Sequence, residues 1–201
     1  MLKHCLIPCV YEAGCDEAGR GCLAGPVYAA AVVLPENYVH PLLNDSKKLT
    51  AKMRETVRQD IEKDAIAWAV AWVDNLRIDE INILRASIQA MHMALDKLSV
   101  KPGSIIVDGN RFFPYGQIPY RCIVKGDATY ASIAAASVLA KTWRDACMMK
   151  LHSQHEQYGW DRNKGYPTVA HRQAIMRYGI TSYHRKTFTL FNQQLSYNFN
   201  Q

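Results

Sequence analysis

The sequence of 201 residues lacks long apolar runs, internal repeats, low-complexity tracts and cysteine pairs of the C-x-x-C type. No apolar stretch approaches the roughly 20 residues that a membrane span requires. The opening residues "MLKHCLIPCVYEAG" carry a proline and an acid too early for a secretory signal. Because the six cysteines form no small disulfide framework, we expect reduced thiols and a cytoplasmic protein.

The residues that are present are typical of a globular chain with a basic surface. Apolar residues make up 49% of the sequence and charged residues 21%, and we predict a single domain over residues 1–201. A weakly structured tail is expected from about residue 188. The formal net charge of +6 favours a polyanionic partner, although many basic proteins bind none.

The order of the predicted elements indicates an α/β fold, with a mixed sheet flanked by helices. Strands are predicted at residues 10–15, 27–35 and 65–73, and in the segments "SIIVDGN" and "RCIVKGD". Helices are predicted from Thr50, from Asp79 as an N-cap, over residues 130–152 and over residues 168–178. The strand at 65–73 is apolar on both sides, which suits a sheet covered on both faces.

Three predicted strands end at carboxylates that stand beside glycines. The segment "YEAGCDE" delivers Asp16 and Glu17, "SIIVDG" delivers Asp108, and "YRCIVKGD" delivers Asp127. If these strands are neighbours, four carboxylates meet, and such a cluster repels itself unless cations occupy it. Magnesium prefers carboxylate oxygens and water, and it commonly holds substrate phosphates as well. The joint pattern therefore predicts a divalent-metal site.

Each of these acids also has a plainer interpretation. Asp108 taken alone is typical of an Asp-Gly turn, and Asp127 taken alone is typical of a helix cap. Asp16 and Glu17 point to opposite faces of a regular strand, so they share one site only if the strand bends or ends there. Residues 19–24 also fit the dinucleotide fingerprint G-x-G-x-x-A, but strand-like residues follow where that fingerprint requires a helix.

The segment "DEAGRG" at residues 16–21 resembles the opening motif of ribonuclease HII, the bacterial type 2 ribonuclease H. The similarity continues in family order through "NDSKKL", "DEINIL", "VDGN", "VKGD", "IAAASVLAK", "NKGYPT" and "HRKTF". The resemblance implies a ribonuclease H-like fold, a five-stranded mixed sheet flanked by helices, with a helical C-terminal part. It also implies an endonuclease that hydrolyses the RNA strand of RNA–DNA hybrids and cuts at single ribonucleotides in duplex DNA.

The resemblance assigns the four acids a chemical role. Asp16, Glu17, Asp108 and Asp127 match the family positions of metal ligands and catalytic acids, with Mg²⁺ or Mn²⁺ as the cofactor. Two such ions can activate a water and stabilise the leaving oxygen in an in-line displacement. The resemblance implies products with a 5′-phosphate on one fragment and a 3′-hydroxyl on the other. This chemistry needs no histidine, serine or cysteine nucleophile, in agreement with the lack of a persuasive triad in the sequence.

The resemblance also suggests how the substrate is recognised. Gly19, Arg20 and Gly21 resemble the family loop that reads the ribose 2′-hydroxyl through the main chain. Tyr166 resembles the family tyrosine that stacks on the sugar at the RNA–DNA junction. Taken alone, Tyr166 is typical of a half-buried aromatic that anchors a proline turn.

Phosphate contacts are expected from a further group of polar and basic residues, namely Lys47, Ser137, Lys141 and Lys164. Arg144 continues the helical face of Ser137 and Lys141, and we interpret it either as a fifth contact or as the solvated side of the helix.

Several alternatives and departures stay open at this point. Thr187 stands in "HRKTF" where the family commonly has serine, a change that keeps the hydroxyl. The rival functions are a DNA endonuclease or junction resolvase on the same fold, and a nucleic-acid-binding module without catalysis. The final "NQQLSYNFNQ" is weakly similar to sliding-clamp peptides, with Leu195 and Phe199 as anchors, and disorder is its alternative. We expect a monomer.

Overall fold

The computed structural model describes residues 2–7, 11–43 and 49–191, which form five strands and six helices. The strands are β1 Glu12–Ala18, β2 Val27–Val33, β3 Ala67–Val73, β4 Ser104–Asp108 and β5 Tyr120–Ile123. The helices are α1 Ala51–Asp64, α2 Asn75–Ile81, α3 Ile83–Asp96, α4 Ala131–His152, α5 Trp160–Asn163 and α6 Val169–Tyr178. In the described part of the chain, no helix is long and apolar enough to cross a membrane.

The strands form one mixed sheet in the order β3-β2-β1-β4-β5. The pairs β1–β2 and β2–β3 are antiparallel, whereas β1–β4 and β4–β5 are parallel. Helix α1 connects the antiparallel strands β2 and β3, whereas α2 and α3 lead from β3 to β4, which lies parallel to β1. The prediction of an α/β fold with a mixed five-stranded sheet flanked by helices is confirmed.

Alternate residues of β1 face two different helical layers, as the period of a strand requires. Ala13 and Cys15 are fully buried in an apolar cluster shared with α3. Gly14 faces α4, and a side-chain carbon at Gly14 would lie 2.3 Å from the carbonyl carbon of Ser132. The main chains of β1 and α4 therefore lie in direct contact at Gly14.

A separate apolar cluster joins the connection between β1 and β2 to the C-terminal helices. It contains Leu23 of that connection and Met148 of α4, packed with Trp160 and Ile175. This cluster fixes the helical C-terminal part against the glycine-rich loop of residues 19–26.

The residues at the end of the described chain are held in place. Leu190 is buried, and Arg172 Nη1 donates to the carbonyl oxygens of Thr189 and Leu190 at 2.7 Å each. The sequence places the start of a weakly structured tail at about residue 188. Residues 192–201, including the clamp-like anchors Leu195 and Phe199, lie outside the described residues.

The prediction that Asp79 caps one long helix is wrong. The helical segment begins after Asp74 as α2, breaks at Asn82, and restarts as α3 with Asn82 as its N-cap. Asn82 has a φ of 69°, a left-handed conformation that asparagine tolerates better than most residues. Asp79 lies inside α2, and its carboxylate accepts hydrogen bonds from the main-chain N–H groups of Lys186 and Thr187.

The expectation that β3 is covered on both faces is also wrong. This strand lies at the edge of the sheet, with Trp72 52% exposed and Trp68 and Val70 only partly buried. The predicted N-cap at Thr50 is confirmed, because the Thr50 hydroxyl accepts a hydrogen bond from Met53 N at the start of α1.

Candidate active site

Two neighbouring parallel strands place Asp16 and Asp108 at one edge of the sheet. The β1–β4 register pairs Cys15 with Val107, so the two aspartates follow directly after the last paired residues. On its other side Asp16 stays paired with Ala30 of β2, and β1 continues to Ala18. The strand therefore does not end at Asp16, although its pairing with β4 does.

The Asp16 carboxylate is buried among other negative charges. Asp16 is only 5% exposed, and its Oδ1 accepts a hydrogen bond from Glu17 N at 2.6 Å. Burial, followed by the charges of Glu17 and Asp108, raises the pKa of Asp16 well above 3.8. A hydrogen bond from the Ser137 side chain acts in the opposite direction. Asp16, Glu17 and Asp108 thus share one electrostatic environment.

Asp127 reaches the same edge through β5, the strand beside β4. Asp108 Oδ1 accepts a hydrogen bond from Gly126 N at 2.7 Å. Gly126 opens a short 3-10 turn that contains Asp127, which is 5% exposed. Lys125 precedes this turn with a φ of 57°. Asp127 is not the cap of the following helix, because α4 has Tyr130 at its N-cap position.

The chemistry of this acidic group fits a hard divalent cation, since it offers carboxylate oxygens and concentrates negative charge. Across residues 2–7, 11–43 and 49–191, no three histidine, cysteine, aspartate or glutamate side chains are already arranged to hold an ion. Oxygens of Asp16 and Asp108 instead accept main-chain hydrogen bonds. Glu17 Oε1 pairs with Arg20 Nη1 at 3.2 Å.

The glycine-rich loop lies beside these acids and leaves one open side. Gly19 is buried with a φ of 99°, and a side-chain carbon there would lie 2.1 Å from Arg144 Nε. Gly21 is exposed, and a side-chain carbon there would meet nothing within 4 Å. Glycine is required at position 19 by conformation and by contact, whereas at position 21 the open space lets a ligand approach the main chain.

Arg144 is fully buried, so its interpretation as the solvated side of α4 is wrong. Its guanidinium donates to three carbonyl oxygens, those of Lys164 at 2.7 Å and of Ala24 and Pro26 at 3.3 Å each. Arg144 therefore ties the glycine-rich loop to the turn that carries Lys164.

A second buried arginine, Arg185, holds the same loop from the C-terminal side. Its Nη1 donates to the carbonyl oxygen of Arg20 at 2.8 Å, and its Nε donates to that of Gly25 at 3.1 Å. Its main-chain N–H donates to the carbonyl oxygen of Leu23 at 2.8 Å. Burial lowers the pKa of Arg185 to about 10, which keeps it charged at neutral pH.

Tyr166 lies between basic side chains on the same side of the molecule. Its residue is 37% exposed, with Lys141 Nζ and the Arg144 guanidinium carbon each 5.6 Å from the ring centre. Lys141 in turn pairs with Asp145 at 2.7 Å. Lys141 and Arg144 are three residues apart on one face of α4, so both lie next to the Tyr166 ring.

His171 fixes the main chain at Tyr166. Its Nε2 accepts a hydrogen bond from Trp160 Nε1 at 2.9 Å, so the proton is on Nδ1, which donates to the carbonyl oxygen of Tyr166 at 2.9 Å. Burial lowers the pKa of His171, in agreement with a neutral ring.

Two further lysines were predicted to contact phosphate, namely Lys164 and Lys47. Lys164 has a φ of 50°, and its ammonium contacts Met149 Sδ at 3.0 Å and the carbonyl oxygen of Asp161. Burial lowers the pKa of Lys164. Lys47 lies outside the described residues.

Sequence reasoning missed the roles of Arg185, His171 and Asp145. Arg185 stands in the quoted motif "HRKTF", which was the available signal, but its partners are carbonyl oxygens that leave no trace in a sequence pattern. His171 and Asp145 contact residues of the site only through the packing of α6, α5 and α4.

Comparison with known proteins places this geometry in a family. A sequence model of ribonuclease HII matches residues 13–191. A ribonuclease HII from Porphyromonas gingivalis is 59% identical over 177 residues, which cover 88% of each chain. The crystal structure of ribonuclease H2 from Pyrococcus horikoshii is 27% identical with a TM-score of 0.75, covering 89% of this chain and 94% of that one. The RNase HII in a PCNA complex from Archaeoglobus fulgidus is 26% identical with a TM-score of 0.77, covering 92% and 98%.

Proposed function

Since the chain belongs to the ribonuclease HII family and is a ribonuclease H-type hydrolase, we propose that it is an endonuclease acting on RNA joined to or paired with DNA. It hydrolyses the RNA strand of RNA–DNA hybrids and cuts at single ribonucleotides in duplex DNA, leaving 5′-phosphate and 3′-hydroxyl ends. Its cellular roles are then ribonucleotide removal from DNA and RNA primer removal. The adjacency of Asp16 and Asp108 across the β1–β4 pair, beside an open glycine-rich loop, carries this proposal.

The four acids Asp16, Glu17, Asp108 and Asp127 would hold the divalent ions, Mg²⁺ or Mn²⁺. Two such ions supply activation of a water and neutralisation of the leaving oxygen in an in-line displacement. Hydrogen bonds restrain two of the four acids, since the Ser137 hydroxyl binds Asp16 and Gly126 N binds Asp108.

Recognition of the substrate is assigned to the open loop and to the basic side chains around it. The main chain at Gly19, Arg20 and Gly21 meets the ribose 2′-hydroxyl, the group that distinguishes RNA from DNA. Tyr166 stacks on the sugar at the junction, and its partial exposure leaves the side chain accessible for this contact. Phosphates are contacted by basic side chains, namely Lys47, Lys141 and Lys164, whereas the buried Ser137 donates its one hydroxyl proton to Asp16.

The proposal is tested by a gel assay on three labelled duplexes of one sequence: one with a single ribonucleotide, one all-DNA and one RNA–DNA hybrid. With Mg²⁺ or Mn²⁺ we expect a single incision at the ribonucleotide and multiple cuts in the hybrid RNA. The all-DNA duplex should stay intact, and chelator should abolish all cleavage. Efficient all-DNA cleavage would favour the rival DNA endonuclease, and binding without scission would favour a non-catalytic module.

The setting of the enzyme is a separate part of the proposal. The five described cysteines are free thiols, which agrees with a reducing cytoplasm, and we expect a monomer by light scattering.

A sliding clamp is a candidate partner through residues 192–201, since the Archaeoglobus fulgidus relative forms a PCNA complex. Deletion of the last eight residues with unchanged clamp binding would contradict this contact.

A further inference from the structure

Arg185 is a buried charge, and the hydrogen bonds that it donates all reach the main chain of one loop. It is fully buried and donates to the carbonyl oxygens of Arg20 and Gly25. In the described part of the chain its Nη2 has no hydrogen-bond partner. Burying a guanidinium costs several kcal/mol unless its partners offset that cost, so its position serves a need beyond filling space.

The bond to the Arg20 carbonyl oxygen fixes the orientation of a whole peptide group. A trans peptide is planar, and its C=O and N–H bonds point in opposite directions. Because Arg185 draws the Arg20 carbonyl inward, the N–H of Gly21 points outward. That side is open, since Gly21 is exposed and a side-chain carbon there would contact nothing within 4 Å.

The segment that carries Arg185 is itself anchored to a distant helix. Asp79 of α2 accepts from Lys186 N at 2.9 Å, Thr187 N at 3.0 Å and the Thr187 hydroxyl at 2.6 Å. The hydroxyl that Thr187 keeps is therefore used in this anchor. Asp79 fixes the turn at residues 186 and 187, and that turn sets the position of Arg185.

We propose that Arg185 is a positioning residue for ribonucleotide recognition, aiming the Gly21 N–H at the 2′-hydroxyl of the substrate, with Asp79 as its anchor. This inference rests on the proposed function, and it adds a residue that acts through the loop rather than on the substrate. Loss of this positioning should lower the affinity gained from the ribose 2′-hydroxyl and leave the affinity for duplex DNA unchanged.

The test compares two affinities in chelator, where no cleavage occurs. Fluorescence anisotropy measures binding to a duplex with one ribonucleotide and to the matched all-DNA duplex. Arg185→Lys keeps the charge but loses the fork of donors, so we expect the ribonucleotide preference to fall about tenfold, as befits a lost charged hydrogen bond. Affinity for the all-DNA duplex should stay within about twofold of wild type, whereas damage to the fold would lower both affinities.

Two further variants complete the design. Lys186→Ala changes an exposed neighbour and should leave the preference unchanged. Asp79→Asn weakens the anchor and should lower the preference less than Arg185→Lys does, and it carries the test if Arg185→Lys does not fold. If folded Arg185→Lys keeps the wild-type preference for the ribonucleotide duplex, the role of Arg185 is overturned while the proposed function stands. If Arg185→Lys does not fold, a wild-type preference in Asp79→Asn overturns that role in the same way. A wild type without any preference would contradict the proposed function as well.

Discussion

At the scale of single residues, the site holds a carboxylate in surroundings that oppose its charge. Asp16 is buried beside Glu17 and Asp108, and these effects raise its pKa. A carboxyl whose pKa rises on folding lowers stability at any pH above that raised pKa. Asp16 therefore lowers the stability of the fold at neutral pH, and the divalent ions proposed for this site would offset that cost.

Asp16→Asn should accordingly raise the free energy of unfolding at pH 7 in chelator, because the amide removes the buried charge that folding disfavours. The difference in free energy of unfolding between Asp16→Asn and wild type should decrease as the pH falls through the raised pKa towards 3.8. Wild-type Asp16 then becomes neutral in the folded state. Urea denaturation across this pH range measures the effect. Glu80→Gln, at an exposed acid, is the control, and a less stable Asp16→Asn at pH 7 would count against the argument.

Tyr166 permits a prediction about substrate that is separate from folding. Tyr166→Ala should slow cleavage at a single ribonucleotide about tenfold, because it removes the ring that packs on the junction sugar; for comparison, a base stacked on an aromatic side chain is worth about 1–3 kcal/mol. Tyr166→Phe keeps the ring and should retain most of the activity. Single-turnover rates measure both variants, and an unchanged rate in Tyr166→Ala would contradict the stacking role.

At the scale of elements, the position of the site depends on close contact between β1 and α4. Gly14→Ala would place a carbon 2.3 Å from the main chain of Ser132, so it should lower the free energy of unfolding by about 3 kcal/mol. Gly21→Ala faces open space and should change stability by less than about 0.5 kcal/mol while impairing ribonucleotide cleavage. Thermal unfolding and cleavage rates distinguish the two. Equal stability of Gly14→Ala and wild type would show that the contact is not as close as described.

The elements also show what the sequence could and could not predict. The placement of Asp16 beside Asp108 was predictable, because each follows a short apolar run on one of two neighbouring strands, although β1 continues to Ala18 and does not end at Asp16. The break between α2 and α3 was not, since the apolar periodicity runs through Asn82 without interruption. Arg144 was misread because a charged residue on a helix is usually solvated, and its carbonyl partners come from distant loops.

At the scale of the whole molecule, the C-terminal part packs histidines into an aromatic cluster beside the loop that carries Tyr166. The ring centres of His184 and Trp160 lie 5.6 Å apart, and those of His184 and His171 lie 5.5 Å apart. Thr181 N donates to His184 Nδ1 at 2.9 Å, which requires that nitrogen to be unprotonated. The helical C-terminal part therefore depends on neutral histidines.

Acid should weaken the fold through His184, whose pKa burial lowers from 6.5 to about 4. The unfolded chain takes up a proton below pH 6.5 and the folded chain does not, so stability is lost as the pH falls from 6.5 to about 4. The full loss from this residue corresponds to about 3 kcal/mol. Denaturation of His184→Gln should show a shallower pH dependence over this range, and an identical slope in both proteins would contradict the assignment.

We propose that acids from separate strands act together as one reaction centre. The most direct test of this proposal is the single-turnover cleavage rate of Asp16→Asn and Asp108→Asn on the duplex with one ribonucleotide, with Mg²⁺ or Mn²⁺ present. We predict no detectable strand scission by either variant, with duplex affinity retained within a few-fold. Cleavage at the wild-type rate by either folded variant would contradict the account.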